Sequence, residues 1–233
     1  ALRTSQMVNY SDLARDTGIA PNTARTWAGL LQTSGVVAMI EPYFGNRTKR
    51  LIKAPKLAFL DTGLAAFLAG FRSARELTAS ALAGAFWESH VFGQIVRHAV
   101  SRADAAPVCY WRTAGGPEVD VVIERAGALT AIECKWTEHP EPADAGGLKA
   151  REAAEPGRVK QKMLVCRTNA AYRLPDGTWV VNPSDALKRL AAHGIALDAG
   201  NLHEAADGIA GKPKIMLHAD FSRVRNLLRA RAP

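Results

Sequence analysis

The stretch EVDVVIERAGALTAIECKW, residues 118–136, decides the fold of this chain. Apolar residues fill two strand-like runs on either side of residues 125–128, a pattern that predicts a hairpin of two strands. Residues two apart on a strand share a face, so Glu133 and Lys135 point the same way. Asp120 can lie beside them across the hairpin. The sequence therefore predicts that two carboxylates and a lysine converge on one pair of strands.

The elements around this hairpin predict an α/β domain. A long helix from Gly84 to Val100 precedes the hairpin and carries Glu88. A helix near residues 144–154 follows it, and Ser184 or Asp185 is expected to cap a last helix through Ala191. Three further strands are predicted at Val108 to Arg112, Met163 to Cys166 and Thr178 to Val181.

The residue types at the hairpin indicate metal-assisted phosphate chemistry. Asp120 and Glu133 offer the hard oxygen ligands that Mg²⁺ (or Mn²⁺) prefers. Lys135 can hold an attacking water or steady negative charge on a phosphate, and Glu88 can orient a water. Glu133-x-Lys135 alone could equally be a surface ion pair. However, charges in an apolar strand are costly without a task, so we predict Glu88, Asp120, Glu133 and Lys135 as catalytic residues, with Asp120 and Glu133 binding the metal.

Residues 9–34 predict two helices joined by a tight turn. Ser11 is expected to cap the first helix and Gly18 to end it, with Pro21 in the first turn of the second. The second helix is expected to bury one stripe, formed by Ala24, Trp27, Ala28 and Leu31. Its N-terminal end then faces outward, as in a helix-turn-helix.

A wing is predicted directly after these helices. Residues 36–40 and 49–53 read as two short strands around a turn, and Lys56 continues the same basic edge. DNA contact and protein docking are equally open readings of this winged helix, because a fold does not set its function. If nucleic acid binds, the expected contact residues are Arg25, Arg47, Lys49, Arg50 and Lys53. Residues 57–71 read as a buried helix too short to span a bilayer, with Asp61 capping the part through Ala69.

Charge and cysteine content bound the class of protein. Of the net charge of +8, residues 1–83 supply 10 basic against 5 acidic side chains, whereas residues 84–183 are balanced at 12 against 12. Nucleic-acid contact is therefore expected in the first third or the tail rather than at the carboxylates. The three cysteines are widely spaced in apolar runs, which predicts buried thiols in a reducing cytoplasm. No secretion signal or membrane contact is expected.

The order Glu88, Asp120, Glu133-x-Lys135 resembles the PD-(D/E)XK phosphodiesterase superfamily. The resemblance implies that Asp120 and Glu133 bind metal and that Lys135 assists catalysis. The chain departs from the superfamily pattern, since Glu118 and Val119 separate Pro117 from Asp120.

More closely, the stretch from about Ser11 to Pro183 resembles the C-terminal region of bacterial and archaeal predicted AAA-type ATPases. In that family a P-loop module precedes a winged helix and a nuclease-like domain of uncharacterised function. The matching segments are KLAFLDTGL at 56–64, FWESHV at 86–91, WR at 111–112, EVD at 118–120 and IECKW at 132–136. The chain holds no G-x-x-x-x-G-K-[ST] motif, so it should not bind ATP itself and resembles a fragment or a truncated relative.

These observations predict a PD-(D/E)XK restriction-endonuclease-like mixed sheet flanked by helices, preceded by an all-α winged-helix domain. The expected domains are residues 1–83, 84–191 and a C-terminal extension at 192–233, whose role is open. Two functions follow from them. One is a Mg²⁺-dependent nuclease acting on DNA. The other is a non-catalytic module that binds DNA or protein and serves a P-loop ATPase module absent from this chain.

Overall fold

The computed structural model describes residues 1–44 and 54–192. These residues form two compact units, which we call the helical unit (10–37) and the sheet unit (1–9 with 38–192). The predicted wing strand at 49–53, the Gly45-Asn46 end of its turn and residues 193–233 of the C-terminal extension lie outside the described residues.

The helical unit consists of α1 (Tyr10–Thr17) and α2 (Pro21–Thr33). Gly18 has a φ of 70° and follows the end of α1, and Pro21 begins α2, both as predicted. The cap prediction was wrong: α1 begins at Tyr10, so Ser11 lies inside its first turn.

The face that α2 buries is narrower than predicted. Ala24 and Ala28 are buried, as is Ala14 of α1. Trp27, by contrast, is 55% exposed, and Leu31 is also exposed, so neither belongs to the predicted stripe. Small alanines line the packed face, and the large side chains lie at its margin.

A small sheet in the order β1-β3-β2 contains β1 (Gln6–Met7), β2 (Val37–Ile40) and β3 (Lys56–Phe59). The predicted helix over 57–71 is therefore wrong in its first part, because the KLAF segment is fully buried as a strand. The helix α3 (Thr62–Leu68) follows, and the Asp61 side chain accepts a hydrogen bond from the Leu64 N–H at 2.9 Å, as predicted for its cap.

A second sheet of six strands builds the rest of the sheet unit, in the order β4-β5-β6-β7-β9-β8. Its pairs are antiparallel from β4 to β6 and from β8 to β9, and parallel from β6 through β7 to β9. This confirms the predicted mixed α/β architecture. The elements, in chain order, are α4 (Ala74–Thr78), α5 (Ala83–Ser101), β4 (Val108–Arg112), β5 (Glu118–Arg125), β6 (Ala128–Cys134), α6 (Gly146–Ala154), β7 (Val159–Val165), β8 (Tyr172–Arg173), β9 (Trp179–Val181) and α7 (Pro183–Ala192).

The β5–β6 hairpin forms where the sequence predicts it. Ala126 and Gly127 both have positive φ, 48° and 79°, which suits the two-residue turns that match strand twist. Val121 pairs with Ile132, so Asp120 and Glu133 occupy the next step of the ladder. The predicted convergence across the hairpin follows from this register.

Helices cover both faces of the six-stranded sheet. Phe92 and Ile95 of α5 belong to one buried cluster, and Leu148 of α6 belongs to the other. Leu190 of α7 joins the α5 cluster. The cap of α7 is Asn182 rather than Ser184 or Asp185: its side chain accepts a hydrogen bond from the Asp185 N–H at 2.9 Å.

Candidate functional site

A pocket of about 440 Å³ opens in the sheet unit beside the β5–β6 hairpin. Residues 5–7 form part of its wall, and Lys56 and Arg112 bring positive charge to it. Its acidic side chains, which we call the carboxylate cluster, are Glu88, Glu118, Asp120 and Glu133. Three of the four predicted catalytic residues therefore line one pocket, and Lys135 reaches it through Glu133.

Asp120 and Glu133 lie at the bottom of the carboxylate cluster, each 8% exposed. The Cys134 N–H donates to Asp120 Oδ2 at 2.8 Å, which fixes the orientation of that carboxylate. Lys135 Nζ lies 3.1 Å from Glu133 Oε1. The other oxygen, Glu133 Oε2, is buried and has no hydrogen-bond partner among the described residues. Buried polar atoms are rarely left this way, so this oxygen indicates a missing partner.

Lys56 is the main residue that the sequence argument misplaced. It is only 4% exposed, and its ammonium lies inside the carboxylate cluster rather than on a basic edge. Nζ lies 2.8 Å from Glu88 Oε1 and 3.4 Å from Asp120 Oδ1, and it also contacts Glu118 Oε1. Burial alone would lower the pKa of Lys56, but the neighbouring carboxylates outweigh it and raise the pKa.

Burial disfavours negative charge on Glu88, Asp120 and Glu133. It raises the pKa of Glu133 to about 8, with the charge of Asp120 adding to the shift and Lys135 opposing it. It likewise raises the pKa of Glu88 to about 8, with Asp120 adding and Lys56 opposing. The pKa of Asp120 is also raised by burial, against the effects of Lys56 and the Cys134 N–H. The cluster therefore gains stability from any added positive charge.

Arg112 and Glu118 form the more open side of the pocket. Arg112 Nη1 lies 3.2 Å from Glu118 Oε2, and both side chains are partly exposed. The Nε of Arg112 is buried, and no residue in 1–44 or 54–192 forms a hydrogen bond with it. Sequence reasoning assigned no role to either residue.

The start of α6 lies against the carboxylate cluster with no room to spare. A Cβ atom at Gly147 would fall 1.9 Å from the Glu118 carbonyl oxygen and 3.2 Å from Glu133 Oε2. Only glycine allows this approach. A Cβ atom at the neighbouring Gly146 would have no atom within 4 Å.

A buried hydrogen-bond network ties the N-terminal segment to α5 next to Glu88. The Thr4 and Ser89 hydroxyls are 2.5 Å apart, and the Phe59 N–H donates to Thr4 Oγ1 at 3.1 Å. Ser5 adopts a φ of 58° and donates to the Ala85 carbonyl at 2.9 Å. This network holds residues 5–7 at the pocket wall.

The donor set fits a cation held by two carboxylates. Asp120 Oδ1 has only the long contact with Lys56, and Glu133 Oε2 has no partner. Mg²⁺ is commonly bound by one or two carboxylates and several waters. Within residues 1–44 and 54–192, no three His, Cys, Asp or Glu side chains form a group that could hold a metal ion. Asp120 and Glu133 are fewer than such a group, so their role as metal ligands stays a prediction.

The structure describes one of the five predicted nucleic-acid residues, Arg25. Arg25 lies in the helical unit, exposed, with its guanidinium 4.9 Å from the Tyr10 ring centroid. The other four, Arg47, Lys49, Arg50 and Lys53, lie outside the described residues.

The remaining chemically notable side chains have structural partners. His90 stacks on Trp87, and Trp87 packs edge-on against Trp136. Cys109, Cys134 and Cys166 are free thiols, with Cys166 buried and the other two partly buried.

Among the helices of the described chain, none has the length and apolarity to cross a bilayer.

Comparisons with known proteins match two parts of the chain. Residues 83–186 match a family model described as Domain of unknown function (DUF4143). Residues 1–75 match another, Domain of unknown function (DUF8612). The first segment contains the carboxylate cluster and Lys135, whereas the second contains Lys56 and residues 5–7 of the pocket wall.

Two curated mycobacterial proteins are similar to the chain. They are the uncharacterized proteins Mb2031c of Mycobacterium bovis and Rv2008c of Mycobacterium tuberculosis, each 33% identical over 135 residues. The matched region is 58% of this chain but only 30% of each relative, so the chain spans about a third of the length of these relatives. No solved structure matches the chain.

Proposed function

We propose that the carboxylate cluster is a divalent-cation-dependent phosphodiesterase site of the PD-(D/E)XK type, acting on DNA. The observation that carries the proposal is that Asp120 and Glu133 line one pocket and that, within the described residues, the buried Glu133 Oε2 has no hydrogen-bond partner while Lys135 contacts Glu133 Oε1. We further propose that the chain is the C-terminal part of an ATPase. That proposal is supported by the resemblance of its motifs and by the greater length of its relatives.

Each protein side chain has a task in phosphodiester hydrolysis. Asp120 and Glu133 would hold Mg²⁺ or Mn²⁺, which when bound stabilises negative charge and activates water. Lys135 is about one-third exposed, so its ammonium can leave Glu133 and donate to a phosphate oxygen. Arg112 faces the same pocket with an unpartnered Nε and can bind a neighbouring phosphate. Glu88 is held by its ion pair with Lys56, and it would orient a water at the metal.

Cleavage of duplex, single-stranded and branched DNA with Mg²⁺ or Mn²⁺ tests the proposal. Lys135→Ala should abolish cleavage and leave metal binding nearly intact, whereas Glu133→Ala should lose both. Glu88→Ala should fall between them, because this residue acts through water. Activity that survives Lys135→Ala would place the chemistry elsewhere or reveal a contaminating nuclease.

A second function is favoured by Lys56. Its ammonium contacts three carboxylates, so part of the cluster is neutralised without a metal ion. The even charge of residues 84–183 also suits a domain that does not grip phosphates itself. On this alternative, the nuclease-like fold binds DNA or protein for an ATPase without turnover. Duplex or partner binding with no cleavage by either metal would favour it.

A further inference from the structure

We propose that Lys56 sets how tightly the carboxylate cluster binds a divalent cation, because it acts as a built-in competitor for Asp120. This inference rests on the proposed function, since it takes Asp120 and Glu133 as the cation ligands. Lys56 lies on β3, whereas Asp120 and Glu133 lie on the β5–β6 hairpin, so a residue outside the hairpin would control its affinity for the cation.

The Lys56 ammonium is held in place from several sides. Its hydrogen bonds and ion pairs run to Glu88 and Asp120 at 2.8 and 3.4 Å, with Glu118 as a third contact. Nζ also lies 5.4 Å from the centroid of the Tyr110 ring. That ring is anchored in turn, because its hydroxyl donates to the Ala54 carbonyl at 2.6 Å.

A cation on Asp120 would have to share its oxygen with this ammonium. Because Nζ lies 3.4 Å from Asp120 Oδ1, a cation bound to that oxygen would be only a few ångströms from a like charge. Even with strong screening by water, repulsion at such separations weakens binding by about tenfold or more. Lys56 thus favours an internally neutralised cluster over a cation-loaded one.

Lys135 does not oppose cation binding in the same way. It contacts only one oxygen of Glu133, at 3.1 Å, and leaves Oε2 without a partner. Its side chain is 36% exposed, against 5% for Lys56, so it can turn toward solvent when a cation enters.

Calorimetric titration of Mn²⁺ into the full 233-residue chain at fixed pH and salt tests this inference. Lys56→Met should bind Mn²⁺ about tenfold more tightly than the wild type, or more. Lys188→Met, which removes a lysine whose side chain is 74% exposed on α7, is the charge-matched control and should bind as the wild type does. Adding Asp120→Asn to Lys56→Met should remove the gain in Mn²⁺ affinity.

A second variant covers the case in which Lys56→Met alone does not fold. Lys56→Met combined with Glu118→Gln keeps the net charge of the pocket, and circular dichroism checks that both proteins are folded. If the wild type binds Mn²⁺ and the folded Lys56 variants bind it equally or more weakly, the competitor role is overturned and the cation site stands. If neither the wild type nor any Lys56 variant binds Mn²⁺, the proposed cation site itself is overturned.

Discussion

Replacing Gly147 with alanine should destabilise the sheet unit and disturb the carboxylate cluster. Real Cβ atoms keep at least 3.0 Å from other heavy atoms, but here the new Cβ would lie 1.9 Å from the Glu118 carbonyl oxygen. That oxygen belongs to the backbone of β5, so no flexible side chain can give way. Either α6 or β5 must move by about 1 Å. Forcing extra volume into a packed site costs about 1 to 3 kcal/mol of unfolding free energy.

Gly146→Ala is the matched control for this prediction. Gly146 has helical backbone angles, φ −56° and ψ −42°, and open space where the methyl group would lie. Its replacement should be neutral or stabilise by up to about 1 kcal/mol through helix propensity. Urea denaturation followed by circular dichroism compares the two variants under the same conditions. Equal unfolding free energies for Gly147→Ala and Gly146→Ala would show that the close approach to Glu118 is not real.

Three further predictions concern other parts of the chain. Asp61→Ala should cost about 1 kcal/mol of unfolding free energy by removing the cap of α3, whereas Asp61→Asn keeps an acceptor and should cost less. Burial opposes the charge of Asp104, but hydrogen bonds from Arg125 and a backbone N–H outweigh burial and lower the pKa of Asp104 below 3.8. The difference in unfolding free energy between the wild type and Asp104→Asn should therefore be full near pH 7 and vanish as the pH falls below that value. A difference that does not change with pH would contradict this. If the predicted wing binds duplex DNA, a triple alanine variant of its basic residues should bind more weakly and lower the salt slope of binding by about one per lost contact, and an unchanged slope would move the interaction elsewhere. The residues in that variant are Arg47, Lys49 and Arg50.

The sequence predicted the hairpin well because its signals are local. The two apolar runs are each buried over five consecutive residues, and the two-residue turn at 126–127 joins them in one register. That register alone brings Asp120 next to Glu133. The same reasoning failed for α2, where the period of the apolar residues identified a helix but not the width of the face that packs.

Lys56 could not be placed by local pattern, because its partners lie far away in the chain. Glu88 and Asp120 are 32 and 64 residues further on. The charged residues that directly precede it, Arg47, Lys49, Arg50 and Lys53, are all basic, which made it look like part of a solvated edge. One signal was available: Lys56 begins the apolar run Lys56-Leu57-Ala58-Phe59, and a charge in such a run is costly without a partner. Glu133 was singled out on the same ground, and its side chain is indeed buried.

The hydrogen bond between Lys56 and Glu88 has a consequence for any attempt to dissect the protein. It joins the segment at 1–75 to the segment at 83–186, so cutting the chain between them removes the counter-ion and leaves the acidic residues behind. A recombinant fragment starting at residue 84 would keep these carboxylates but lose the Lys56 ammonium and residues 5–7 of the pocket wall. Such a fragment should be more stable in mildly acidic buffer and retain trace divalent ions through purification. A cation requirement measured on that fragment would then reflect the missing strand rather than the chemistry of the intact chain.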